Sequence, residues 1–152
     1  MSNFNTAKVI DKSYILSGCN SLDSIDLFNY DIPLLANMSH IFEGCTSLKS
    51  INLSNFNTAK LTDMSYIFSG WNFLDSIDLS NFDTVSIIDM NYLFFNCSSL
   101  NSIDLSNFDI SLVSDMSHIF EGFTKLKSIN LPNINSSSVN GHILIYLNLI
   151  LI

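Results

Sequence analysis

The chain has 152 residues, 47% of them hydrophobic, which suits a single domain with a long, narrow core. Six Lys and no Arg against fourteen acids give a formal net charge of −8 at pH 7, so no basic stripe exists to neutralise phosphates and nucleic-acid binding is not expected. No apolar run is long enough to span a bilayer, and three cysteines do not make a disulfide framework.

From the first residues onward the sequence repeats. Asn3, Asn29, Asn55, Asn81, Asn107 and Asn133 follow one another at a constant interval, 29 − 3 = 26 residues. A fixed period of this length is the signature of a solenoid, whose units stack to bury a continuous core. Ser2, Asn3 and Phe4 are already in phase, and no signal peptide or anchor precedes them in the sequence as given.

Each unit divides into two predicted elements. Leu22, Ile25 and Leu27 recur as Leu48, Ile51 and Leu53, as Leu74, Ile77 and Leu79, as Leu100, Ile103 and Leu105, and as Leu126, Ile129 and Leu131. This L-x-x-L-x-L pattern predicts strands over 22–27, 48–53, 74–79, 100–105 and 126–131, forming one parallel sheet. The second half reads as a short helix, as in Asp63, Met64, Ser65, Tyr66, Ile67, Phe68, Ser69, Gly70. Asp11, Asp89, Asp115 and Asn37 take the same cap position, and Gly18, Gly44, Gly122 and Asn96 the same stop. The predicted class is α/β: a leucine-rich-repeat solenoid with a parallel sheet on one face and short helices on the other. Residues 1–141 hold about five units. Residues 142–152 form an apolar tail, either a cap over the last repeat or the remnant of a longer array.

Cys19, Cys45 and Cys97 share a column with Trp71 and Phe123, large apolar groups, which marks a buried packing site rather than a redox or metal centre. The acids also follow the repeat, at strand faces, turns and helix caps, so the net charge is mostly architecture multiplied by copy number.

The phrase Leu100, Asn101, Ser102, Ile103, Asp104, Leu105, Ser106, Asn107, Phe108, Asp109, followed by Val113, Ser114, Asp115, Met116, Ser117, His118, Ile119, Phe120, Glu121, Gly122, closely resembles the BspA-type leucine-rich repeat of bacterial surface proteins. The resemblance runs from Ser2 to about Val139. It implies a surface or extracellular adhesin-like protein that binds host or neighbouring-cell proteins. The chain as given departs from the family in lacking a secretion signal, lipobox or wall anchor.

Catalysis is not expected. His40 and His118 share the column of Tyr14, Tyr66 and Tyr92, and at about 4.8 Å per rung they lie on the order of 14 Å apart, too far to share a metal or a proton. No acid, base and nucleophile stand apart from the repeat as a catalytic group would. Calcium is an alternative, because Asp26, Asp78 and Asp104 share a strand face with Asn52 and Asn130. A flat face with one carboxylate per rung does not converge six oxygens, and the alternating Asn relieves repulsion instead.

No cofactor or metal is therefore expected, and the chain reads as a monomeric protein-interaction scaffold. Its candidate binding face comprises Asp23, Ser24, Asp26, Lys49, Ser50, Asn52, Asp75, Ser76, Asp78, Asn101, Ser102, Asp104, Lys127, Ser128 and Asn130. Two other readings stand beside it: a degenerate or truncated fragment of a longer array without independent function, and a calcium-binding solenoid.

Overall fold

The computed structural model describes residues 13–27 and 37–132. Its four strands are β1 (Ser24–Asp26), β2 (Ser50–Asn52), β3 (Ser102–Asp104) and β4 (Ser128–Asn130). β1 pairs with β2 and β3 with β4, both in parallel, with Ile25 opposite Ile51 and Ile103 opposite Ile129. Partners are one sequence period apart, so each turn of the chain lies on the equivalent turn of the next coil. A second line of parallel bridges joins Asn37 to Asp63, Asp63 to Asp89 and Asp89 to Asp115.

The α/β reading is corrected by this structure. Among the described residues there is no helix, and the single five-stranded sheet is replaced by two sheets of two short strands. Backbone donors explain the missing helices. In a helix each N–H donates back four residues along its own turn. Here Tyr66 N–H donates to Asn91 O at 3.1 Å, Phe68 N–H to Leu93 O at 3.0 Å and Gly70 N–H to Phe95 O at 2.7 Å, all in the next coil. The dihedrals agree, since φ is 58° at Tyr66 and 80° at Gly70. Left-handed residues four apart cannot belong to one right-handed helix. Between them the chain closes tight turns, such as Ser69 N–H to Tyr66 O at 3.1 Å.

The predicted caps do accept orphan N–H groups, but as Asx turns. Asp63 Oδ1 receives Ser65 N–H at 2.8 Å, and Asn37, Asp89 and Asp115 repeat the contact with Ser39, Asn91 and Ser117. Gly70 is required twice over: its φ is left-handed, and an added Cβ would stand 3.3 Å from the Gly44 backbone. Asn96, the residue at the glycine position of its coil, holds the same conformation with φ 58°.

The predicted third strand, 74–79, has no ladder of its own. Asn101 N–H still donates to Asp75 O at 3.1 Å and so carries the stack across the gap. The interruption falls in the coil that carries Trp71 where others carry cysteine.

Inward side chains form the expected columns. Met38, Met64 and Met90 are fully buried, as are Ile67, Leu93, Phe42 and Phe94. Phe68 packs against the rings of Trp71, Phe82 and Phe94 at 4.9, 6.2 and 5.4 Å. The cysteine column shares a polar duty as well as volume. Cys45 Sγ donates to Leu16 O at 3.2 Å and Cys97 Sγ to Phe68 O at 3.0 Å, while Trp71 Nε1 donates to Phe42 O at 2.9 Å. All three cysteines are free thiols, and burial pushes the Cys97 thiol up to about 12. Such a thiol is a packing group and not a nucleophile. The asparagine that sets the period also acts between coils, with Asn81 Nδ2 donating to Ser54 O and Asn107 Nδ2 to Leu79 O. The apolar tail, 142–152, lies outside the described residues.

Candidate functional site

Two stretches of each coil reach the surface as continuous rows. The first is the strand face. Extended backbone sends Ile25, Ile51 and Ile103 toward the core and their neighbours outward. Asp23, Ser24, Asp26, Lys49, Ser50, Asn52, Asp75, Ser76, Asp78, Ser102, Asp104, Lys127, Ser128 and Asn130 are exposed, with Asn101 half-buried. The rows interact along the stack: Asn52 Nδ2 donates to Asp26 Oδ1 at 3.1 Å, which is the relief of repulsion that alternating Asn predicts. Lys49 Nζ lies 3.6 Å from Asp23 Oδ1 with both groups largely in water, so the pair contributes little to stability.

Two carboxylates of this face also close turns with the residues that follow them. Asp78 Oδ1 accepts Ser80 N–H and Asp104 Oδ1 accepts Ser106 N–H, each at 2.9 Å. These hydrogen bonds hold both carboxyls below the usual range: the Ser80 backbone is the main cause at Asp78 and the Ser106 hydroxyl at Asp104. The face is therefore anionic at neutral pH, with Lys49 and Lys127 on one margin.

The second row was visible in the sequence only as a shared column. Tyr14, His40, Tyr66, Tyr92 and His118 stack face to face, with centroids 4.4, 4.4, 4.6 and 4.4 Å apart and tilts between 10° and 15°. Every member has a positive φ, from 54° at Tyr92 to 63° at Tyr14, an uncommon state for bulky residues. His40 Nδ1 meets Glu43 Oε2 at 2.8 Å, and His118 and Glu121 form the same pair. Asp63, Asp89 and Asp115 run beside the rings. Burial, together with the neighbouring Asp63 and Asp115, raises the Asp89 carboxyl, against the pull of the Asn91 N–H. The tyrosines separate the two imidazoles, so the histidines remain apart. Among the described residues no three His, Cys, Asp or Glu side chains are grouped to hold a metal ion.

A cavity of about 350 Å³ opens at the first described coil, lined by Ile15, Leu22, Ile25, Phe42 and Phe56 with Ser24 at its margin. Among the described residues that line it none is titratable. No helix among the described residues is long and apolar enough to cross a membrane.

The sequence matches the family described as "Mycoplasma protein of unknown function, DUF285" over residues 1–76 and again over 36–144. The chain belongs to this family. The overlapping matches agree with a repeat that aligns on itself, and they take in both rows of the DUF285 surface. No curated protein matches the chain. Among solved structures it is similar to a leucine-rich repeat protein from T. pallidum, with 17% identity over 95% of this chain and 78% of that one. The TM-score of that superposition is 0.46, too low to argue a shared fold.

Proposed function

We propose that this chain is a non-catalytic protein-interaction scaffold, adhesin-like as the resemblance to BspA-type repeats implies, that acts as a monomer without cofactor or metal. Its strand face is the binding surface. The observation that carries this reading is the pairing of Ser24 with Ser50 and Ser102 with Ser128, which sets the polar side chains in rows on a backbone fixed from coil to coil. Rows of this kind give a partner one extended surface instead of isolated contacts. The face has small polar groups and few aromatic anchors, so affinity comes from many rungs acting together.

The test is capture by an immobilised panel of matrix and cell-surface proteins, using the full chain and a version without residues 142–152. Retention of both chains on the same panel member supports the reading. Failure of the full chain to bind any member, or loss of all binding with the tail, overturns it.

A further inference from the structure

The ring row lies on a different stretch of the coil from the strands and calls for a different partner. We propose that the edge of the Tyr14–His118 stack, with the carboxylates beside it, is a second docking surface, and that its partner is an extended segment rich in Lys or Arg.

Three features support this assignment. Stacking at 4.4 to 4.6 Å fixes His40, Tyr66 and Tyr92 between neighbours, so a ligand meets aromatic edges that are already ordered. Tyrosine is a common anchor of protein interfaces because it offers contact area and a hydroxyl at low entropic cost. Tyr14 is 57% exposed, and among the described residues no ring covers its outer face, where a guanidinium can stack.

Charge selects the partner. Asp63, Asp89 and Asp115 stand three residues before Tyr66, Tyr92 and His118, and Glu43 and Glu121 stand three residues after His40 and His118, whose rings they meet. Within these columns the described residues include no Lys, although the chain has six in all. Both sets act on one ring: burial, the neighbouring Tyr92, Glu43 and Asp89 all raise the Tyr66 phenol, which stays neutral and can accept a hydrogen bond from an ammonium. Glu43 and Glu121 already meet His40 and His118, so the attraction comes chiefly from the Asp63, Asp89 and Asp115 column, which an anionic segment would oppose.

The probe is a synthetic alternating Lys-Ala peptide, with the Glu-Ala peptide as control, titrated calorimetrically into the full chain at low and high salt. The Lys-Ala peptide is expected to bind, more weakly in high salt, and the control not at all. Tyr66→Asn with Tyr92→Asn removes two rings while keeping a residue that accepts a left-handed backbone, as Asn96 does at φ 58°. Asp63→Asn with Asp115→Asn removes charge beside the rings while keeping the turn acceptor that Asn37 supplies to Ser39. Each pair is expected to weaken Lys-Ala binding by about tenfold or more, as loss of interface anchors does. On the strand face, Asp78→Lys with Asp104→Lys should change it by less than about threefold, as for charges remote from a contact. No Lys-Ala binding overturns the inference and leaves the strand-face scaffold to its own test. Equal or greater loss in the strand-face pair also overturns it, because the attraction would then be the chain's general charge.

Discussion

Asn91 stands where the four other described coils have serine, at Ser13, Ser39, Ser65 and Ser117. Ser39, Ser65 and Ser117 each donate their hydroxyl to the Asx residue two places before them, at 2.6 to 2.7 Å. Asn91 instead leaves its buried Oδ1 without a partner. Asn91→Ser is therefore expected to stabilise the fold by about 1 kcal/mol, the usual size for removing an unsatisfied acceptor and adding a hydrogen bond. A denaturant midpoint unchanged or lowered would contradict the Asx pattern. Nearby, two aspartates titrate in opposite senses. Asp89 has a raised folded-state pKa, so its contribution is present in acid and lost as pH rises through that value. Asp89→Asn should raise the melting temperature at pH 7, with the gain vanishing below about pH 4. Asp104 has a depressed pKa, so its contribution is present above about pH 4 and is lost as pH falls through the lower folded value. Asp104→Asn should lower the melting temperature at pH 7 and have no effect in strong acid. Thermal melts of both variants across pH check the two signs together.

Among the elements, the turn stack departs furthest from expectation, and its reason is physical. Met64, Ile67 and Phe68 face inward, and their spacing of three and four residues fits one side of a helix. A chain of tight turns produces the same spacing, and segments of eight residues are too short for helix propensity to decide between them. What decides is the carbonyl of the next coil, which no single repeat contains. The strand positions were more legible because alternation is local: Ser102, Ile103 and Asp104 are exposed, buried and exposed as predicted. Likewise, the cysteine column was readable as packing from its Trp71 and Phe123 substituents. The polar strand face was readable too, whereas the ring stack was not, since a shared column does not reveal that rings will lie face to face. A threonine ladder also went unread. Thr58 Oγ1 donates to Asp83 O at 2.9 Å and accepts Asp83 N–H at 2.8 Å, and Thr84 makes both bonds to Asp109. Thr58 and Thr84 are 1% and 2% exposed, and valine at either site would remove both hydrogen bonds to the next coil's backbone. Thr58→Val and Thr84→Val are each expected to destabilise by about 1–3 kcal/mol in denaturant melts. Neutral effects would show that the ladder is not holding the coils together.

For the whole molecule, stability depends on having neighbours on both sides. Phe68 lies inside the stack at 1% exposure, while Ile15 in the first described coil is 52% exposed. Phe68→Ala is expected to cost about 3–5 kcal/mol, and Ile15→Ala well under half of that. Equal losses would contradict a stack held by nearest-neighbour contacts. The same coupling makes the strand face one continuous surface, and the claim that this surface binds protein can be tested with matched charge reversals. Asp78→Lys with Asp104→Lys alters the strand face. Asp83→Lys with Asp109→Lys alters a different exposed corner and removes the same kind of Asx acceptor. Net charge changes equally in the two pairs, so only position distinguishes them. Binding to the immobilised protein panel, measured for the unmodified chain and both pairs, should weaken by about tenfold or more for the strand-face pair. It should stay near its original strength for the corner pair. Equal loss in both pairs, or loss confined to the corner pair, would contradict the strand face as the binding surface.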